Sequence, residues 1–142
     1  MREFAYPARF TPDKKDGGYV VSFRDIPEAI TQGETVDECR EEAAGALQAA
    51  LEGRIMSDLD IPKATKSKRG EHLIAVPVQT ALKAALYLEM QRTGITRVEL
   101  ARRLRIDEKE ARRMLDPRHL TKADRLERAL AVLGRHAELR VI

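Results

Sequence analysis

Apolar positions change their rhythm along the chain. Over residues 4–10 they alternate (Phe4, Tyr6, Ala8, Phe10), and YVVSF, Tyr19–Phe23, is a short β-rich run. Alternation puts every second side chain on one face, so both segments predict strands, and the turn cluster DKKDGG between them predicts a hairpin. Pro7 removes a ladder donor and argues for an edge or a bulge. Pro27 breaks the second run, ITQG adds a short third strand at 29–32, and Gly33 stops it. From Thr35 the period lengthens: Val36, Cys39, Ala43, Ala46, Leu47, Ala50 and Leu51 recur at helical spacing. Thr35 and Glu38 open this helix as a Thr-x-x-Glu capping box, and Gly53 is its expected stop, after about Glu52. HLIAVPV predicts one more strand, 72–76, ended by Pro77.

Beyond Pro77 the pattern is helical. Leu82, Leu86 and Met90, with Ala81 and Ala85, predict a helix over 80–93, ended by Gly94. Thr96-Arg97-Val98-Glu99 and Asp107-Glu108-Lys109-Glu110 are capping boxes before helices burying Leu100, Ala101 and Leu104, then Ala111, Met114 and Leu115. Thr121-Lys122-Ala123-Asp124 resembles a further box, before Leu126, Ala129, Leu130 and Leu133, with Gly134 as the stop. The tail AELRVI alternates in a way that allows a last strand. The fold class expected is therefore α+β. A small ββ(β)αβ domain, 1–78, precedes an all-α domain, 79–142, that ends in this tail.

Charge sharpens the division. Residues 1–78 carry 11 basic and 14 acidic side chains, net −3, and residues 79–142 carry 15 and 9, net +6. Two partners of opposite charge are expected, with nucleic acid the natural one for the basic half. The content, 43% hydrophobic and 35% charged, is that of a globular chain. No apolar run approaches the roughly 20 residues of a membrane span, and no signal-like stretch opens the sequence. Cys39 is the single cysteine and lies on the helical stripe. It reads as a buried core residue of a cytoplasmic protein rather than a reactive thiol.

The chemistry of enzymes is thin. His72, His119 and His136 lie far apart without ligand spacing, so no metal or other cofactor is expected. Asp13, Asp16, Asp25 and Glu28 sit near strand ends, where a metal-dependent nuclease would put carboxylates, but two lysines flank the turn and solvated residues explain it better. The basic stretch from Arg54 to Glu71 has no interleaved aromatic and reads as a solvated loop. No enzymatic activity is expected.

Two short amphipathic helices joined by Arg105-Ile106-Asp107 have helix-turn-helix spacing. A generic helical hairpin is the plainer alternative; the helices before and after favour the former, with Ile106 plugging the gap. The second helix opens on three acids in four residues, an odd tip to present to a polyanion. Asp107 and Glu110 make sense as cap and box partner, which moves the expected contact one turn deeper.

Taken together, YPARF, GGYVVSFRDIPEAITQGETVDEC, HLIAVPV and GITRVELARRLRIDEKEARRMLDPRHLTKADRLERALAVLG resemble the HicB antitoxin family, in the version with a C-terminal Xre-like helix-turn-helix. The resemblance covers nearly the whole chain. It implies a first domain like a degraded RNase H-like fold, which masks a small basic HicA-like mRNA interferase. It implies a second domain that binds operator DNA and represses its own operon. Candidate toxin contacts are Tyr19, Phe23, Asp25, Glu28 and Glu34. Candidate DNA contacts are Arg112 and Arg113 to bases or phosphates, and Lys109, Arg118, His119 and Lys122 to phosphates. A homodimer or higher homo-oligomer is expected, paired through the tail or the helix at 80–93. One departure is Arg105, where such motifs usually place glycine for a positive φ; a non-Gly residue there costs on the order of 1 kcal/mol. The alternatives are a stand-alone regulator whose first domain senses a ligand or protein, and an RNase H-like nuclease.

Overall fold

The computed structural model describes residues 1–142, in two compact units, Met1–Pro77 and Val78–Ile142. The first unit is a four-stranded sheet with one helix. Its strands are β1 (Ala5–Pro12), β2 (Tyr19–Phe23), β3 (Ile30–Gly33) and β4 (Glu71–Ala75), and helix α1 (Val36–Met56) lies between β3 and β4 in the chain. The spatial order is β3-β2-β1-β4, with every neighbouring pair antiparallel. Registers such as Ala8 opposite Phe23 and Tyr6 opposite Ile74 put Tyr6, Ala8, Val21, Phe23 and Ile74 on one face, and all five are buried. Helix α1 covers that face with a stripe at every fourth residue: Cys39, Ala43, Leu47, Leu51 and Ile55. Strand β1 is an inner strand rather than the edge that Pro7 suggested; Pro7 pairs only with β4, opposite Leu73, and lies before the stretch paired with β2.

Thr35 caps α1, its hydroxyl accepting from the Glu38 amide at 3.1 Å. The Glu38 carboxylate reaches back to the Glu34 N–H, one residue before the cap. Two expectations change at the other end. Gly53 does not stop α1; the helix continues to Met56 because Ile55 extends the buried stripe by another turn. That burial outweighs the ~1 kcal/mol an interior glycine costs. The stop is a left-handed Asp58, φ 54°, with the Leu59 N–H bonded to the Arg54 carbonyl at 2.8 Å.

The following segment, expected to be a solvated loop, has no regular structure but is pinned. Arg54 donates to the Asp60 carbonyl at 2.9 Å, the Tyr6 hydroxyl to the Pro62 carbonyl at 2.7 Å, and the Thr65 N–H to Asp25 at 2.9 Å. Arg24 adds bonds to Thr65, Lys66 and Glu71. Ile61 is buried. The charged residues that suggested solvation are exposed; those that fix the loop lie on other elements.

The second unit has helices α2 (Val78–Thr93), α3 (Arg97–Leu104), α4 (Glu108–Leu115) and α5 (Ala123–Val132). One aliphatic core joins them: Leu86, Leu100, Leu104, Met114, Leu126, Ala129, Leu130 and Leu133, with Ile106 packed against it. Residues 135–142 form no strand, and Leu139, Val141 and Ile142 are exposed. Alternation supplies faces, not partners. The unit holds only helices, so a lone strand would find no edge for its N–H and C=O groups. The fourth capping box also fails to form. The N-cap of α5 is Lys122, without a side-chain bond, because the Thr121 hydroxyl is engaged elsewhere.

Candidate functional site

Helices α3 and α4 each have eight residues and are joined by three, Arg105, Ile106 and Asp107. Both N-termini are capped: Thr96 accepts from the Glu99 N–H at 3.1 Å, and Asp107 from the Glu110 N–H at 2.7 Å. Arg105 is left-handed, φ 56° and ψ 46°, the conformation usually given to glycine. The Ile106 N–H then reaches the Ala101 carbonyl at 3.1 Å and closes the turn. Ala111 and Met114 face the core, which turns Lys109, Arg112 and Arg113 outward.

Two of the three acids at the tip of α4 are paired in place, and Asp107 serves as the cap. Glu108 accepts from Arg97 of α3 at 2.9 Å, and Glu110 is paired with Arg125 of α5. Glu110 thus serves a neighbouring helix rather than reaching back to the cap. Glu99 on α3 is similarly occupied by Arg102 at 2.6 Å and Arg103 at 3.0 Å, which hold its carboxyl down to about 2. Arg112, Arg113 and Lys109 have no such acid, and they carry the outward charge of α4. Arg118, His119 and Lys122, all exposed, lie on the segment between α4 and α5. The Arg118 N–H donates to the Asp116 carboxylate at 3.0 Å, and Pro117 is buried, and together they shape that segment. All six candidate DNA contacts are exposed within one span of the chain, from the second residue of α4 to the residue before α5.

Sequence reasoning passed over Lys83. It sits on α2, is 2% exposed, and its ammonium donates to the carbonyls of Arg113 at 3.0 Å and Met114 at 2.8 Å, and to the Thr121 hydroxyl at 2.7 Å. Burial pulls the ammonium down to about 8, against the opposing charge of Asp116. The available signal was a lysine on the stripe side of a helix, between Leu82 and Leu86; a snorkelling side chain was the ordinary explanation.

In the first unit the candidate residues divide. Phe23 is 2% exposed and belongs to the core. Asp25 is held by the Thr65 N–H and hydroxyl, each at 2.9 Å. Glu28 receives two bonds from Arg54, at 2.6 and 2.8 Å, which lower its carboxyl below the usual range. Tyr19 is half-buried and Glu34 exposed. A denser acidic surface lies just beyond: Glu34, Asp37, Glu38, Glu41 and Glu42 are all exposed along the start of α1, with Arg40 beside them turned to His72 at 3.1 Å. The text ETVDECREE shows it in sequence, but acids in a first helical turn also have a structural use against the helix dipole. No group of three or more His, Cys, Asp or Glu side chains converges in a way that would hold a metal ion. No helix is long and apolar enough to cross a membrane.

Comparison with known proteins bears on both units. A family model described as "HicB_like antitoxin of bacterial toxin-antitoxin system" matches residues 5–85. The chain is 40% identical over 134 residues to "Antitoxin HicB" of Escherichia coli K12, covering 94% of this chain and 96% of that one. It is 37% identical over 138 residues to "Antitoxin HicB 2" of Photorhabdus laumondii, covering 97% and 96%. It is 30% identical over 142 residues to "Antitoxin HicB" of Pseudomonas fluorescens, covering 99% and 94%.

Proposed function

The chain belongs to the HicB-like antitoxin family of bacterial toxin-antitoxin systems, and on that premise we propose a division of labour between its two units. The first unit binds and masks a small basic toxin, a HicA-like mRNA interferase. The second is a helix-turn-helix domain that binds operator DNA and represses the operon. The observation that carries the reading is the charge arrangement on α4. Glu108 and Glu110 in its first turn are paired to arginines of α3 and α5, while Lys109, Arg112 and Arg113 stay outward and unpaired.

On the DNA side, α4 enters the major groove and Arg112 and Arg113 meet base edges or phosphates, as bidentate donors can. Arg118, His119 and Lys122 neutralise flanking phosphates, the contribution that supplies most affinity and makes it salt-dependent. A homodimer presents two copies of α4 to successive grooves about 34–36 Å apart. On the toxin side, the acids at the start of α1 meet a basic partner. Complementary fields speed the encounter and fix its orientation, and covering a surface suffices to inhibit without any chemistry.

The test is co-expression with the adjacent small reading frame. A co-purifying complex, together with rescue of growth from that frame's toxicity, is the expected result. If the neighbour is toxic and this chain neither binds it nor restores growth, the masking role is lost. If no small basic neighbour exists and the purified chain still binds its upstream DNA, the chain is a stand-alone regulator.

A further inference from the structure

Two side chains of α2 hold the segment that follows α4, and one of them also reaches the end of α4. Gln79 and Lys83 are one turn apart and both close on Thr121. The Gln79 amide donates to the Thr121 carbonyl at 2.9 Å and accepts from its N–H at 2.8 Å; Lys83 holds its hydroxyl at 2.7 Å. Every polar group of Thr121 is thereby engaged by α2. The same ammonium takes the Arg113 and Met114 carbonyls in the last turn of α4, sharing the Arg113 carbonyl with the Asp116 N–H. Three protons meet three acceptors, and the positive charge sits at the negative end of the α4 dipole.

This arrangement is not the one stability alone would select. Thr121 stands where it would cap α5, and an unused Ser/Thr cap forgoes about 1 kcal/mol. Burying an ammonium carries a desolvation cost, which its three hydrogen bonds offset in part; an apolar residue of similar length would avoid that cost but leave those acceptors without this donor. What the buried cation supplies is geometry. It ties the end of α4, next to Arg112 and Arg113, to the residue before Lys122, across the segment holding Arg118 and His119.

We propose that Lys83, aided by Gln79, is a positioning residue for DNA contact: it sets the spacing between the base-reading arginines of α4 and the phosphate-binding residues of the α4–α5 segment. The inference rests on the reading of α4 as the DNA-contacting helix. Neither residue touches DNA. Each acts through the placement of others, so its loss lowers specific affinity while leaving the unspecific electrostatic attraction.

The test compares the wild-type full chain with Lys83→Met, Thr121→Val and Thr121→Ser. The probes are a duplex from immediately upstream of the coding sequence and a random duplex of equal length, with thermal unfolding measured alongside. Wild type is expected to prefer the upstream duplex. Folded Lys83→Met and Thr121→Val should lose at least tenfold in affinity for it and keep wild-type affinity for the random one; Thr121→Ser, which retains the hydroxyl, should bind like wild type. A folded Lys83→Met or Thr121→Val that binds the upstream duplex as tightly as wild type overturns the proposal. So does an equal loss on both duplexes. Should Lys83→Met not fold, the contrast between valine and serine at Thr121 decides alone. Failure of the underlying reading looks different: wild type itself then shows no preference for the upstream duplex, and the positioning role falls with it.

Discussion

Glu108, at the tip of α4, is held by Arg97 of α3 at 2.9 Å, across the turn that joins the two helices. The pair is about half exposed on both sides, so its direct worth to stability is small, of the order of 0–1 kcal/mol. Its effect on the surface is larger, since it offsets a negative charge at the end of the helix proposed to face DNA. Glu108→Ala frees Arg97 for phosphates and should tighten binding to random duplex DNA several-fold at low salt, with little change in unfolding free energy. Weaker binding to the upstream duplex instead would mean that Glu108 accepts a hydrogen bond from a cytosine amino group.

Arg112 and Arg113 are the exposed arginines of α4 that no acid neutralises. The double variant Arg112→Ala/Arg113→Ala should abolish preference for the upstream duplex and reduce the slope of log affinity against log salt by up to about 2. Toxin neutralisation should persist, because it is assigned to the other unit. Gel-shift titrations at several salt concentrations, with a growth-rescue assay alongside, read both effects. A variant that loses neutralisation but keeps DNA binding contradicts the division of labour.

Arg105 adopts φ 56° to close the turn between α3 and α4. Arg105→Gly removes that strain and should raise stability by about 1 kcal/mol, less what the freer unfolded chain takes back. A higher midpoint in urea with an unchanged slope is the expected signature. A lower midpoint would show that the arginine side chain earns its place through contacts of its own.

Gly33 ends β3 where the chain turns into α1. A methyl group built there would lie 2.8 Å from the Cys39 Sγ and 2.9 Å from its backbone nitrogen. The nitrogen cannot retreat without moving the first turn of the helix, so Gly33→Ala should cost on the order of 1–3 kcal/mol. Calorimetry of the variant measures it. The Cys39 thiol, pushed up by burial and by Glu38 and Glu42, should stay unreactive to alkylating reagents until the unit opens.

Lys83 sets a pH dependence. Its ammonium is pulled from 10.5 to about 8 in the fold, so between those values the unfolded chain binds more protons. Stability therefore rises with pH across 8–10.5, and the burial penalty is fully present below 8. The span amounts to up to about 3 kcal/mol. Unfolding free energies of wild type and Lys83→Met, compared from pH 7 to 10.5, should converge or cross as the lysine deprotonates. Parallel curves would mean that the buried amine is not titrating in that range.

Much of this was legible in the sequence because local signals agreed with one another. The helices at 97–104 and 108–115 were opened by the N-caps Thr96 and Asp107, which need only nearby backbone, and the left-handed residue at Arg105 was implied by the family resemblance, whose motifs usually place glycine there. Signals failed where a distant group competed for the same atoms. Thr121 looked like a cap, but Lys83, 38 residues earlier, takes its hydroxyl. Gly53 looked like a stop, but Ile55 had a buried site to fill. Asp25 and Glu28 read as free acids at strand ends; their partners, Thr65 and Arg54, come from a segment and a helix end that no local pattern links to them.

The strand order has a consequence for synthesis. Strand β1 pairs with β2 almost at once, yet its other edge waits for β4, with Arg9 opposite Glu71. At about 5–20 residues per second, a ribosome leaves that edge open for several seconds. An open edge is a template for mispairing with any nearby chain. The Val76 N–H bond to the Phe4 carbonyl fixes the alternation, so Tyr6 and Ala8, rather than Pro7, present the backbone groups that wait for β4. The first strand to be made is the last to be fully paired.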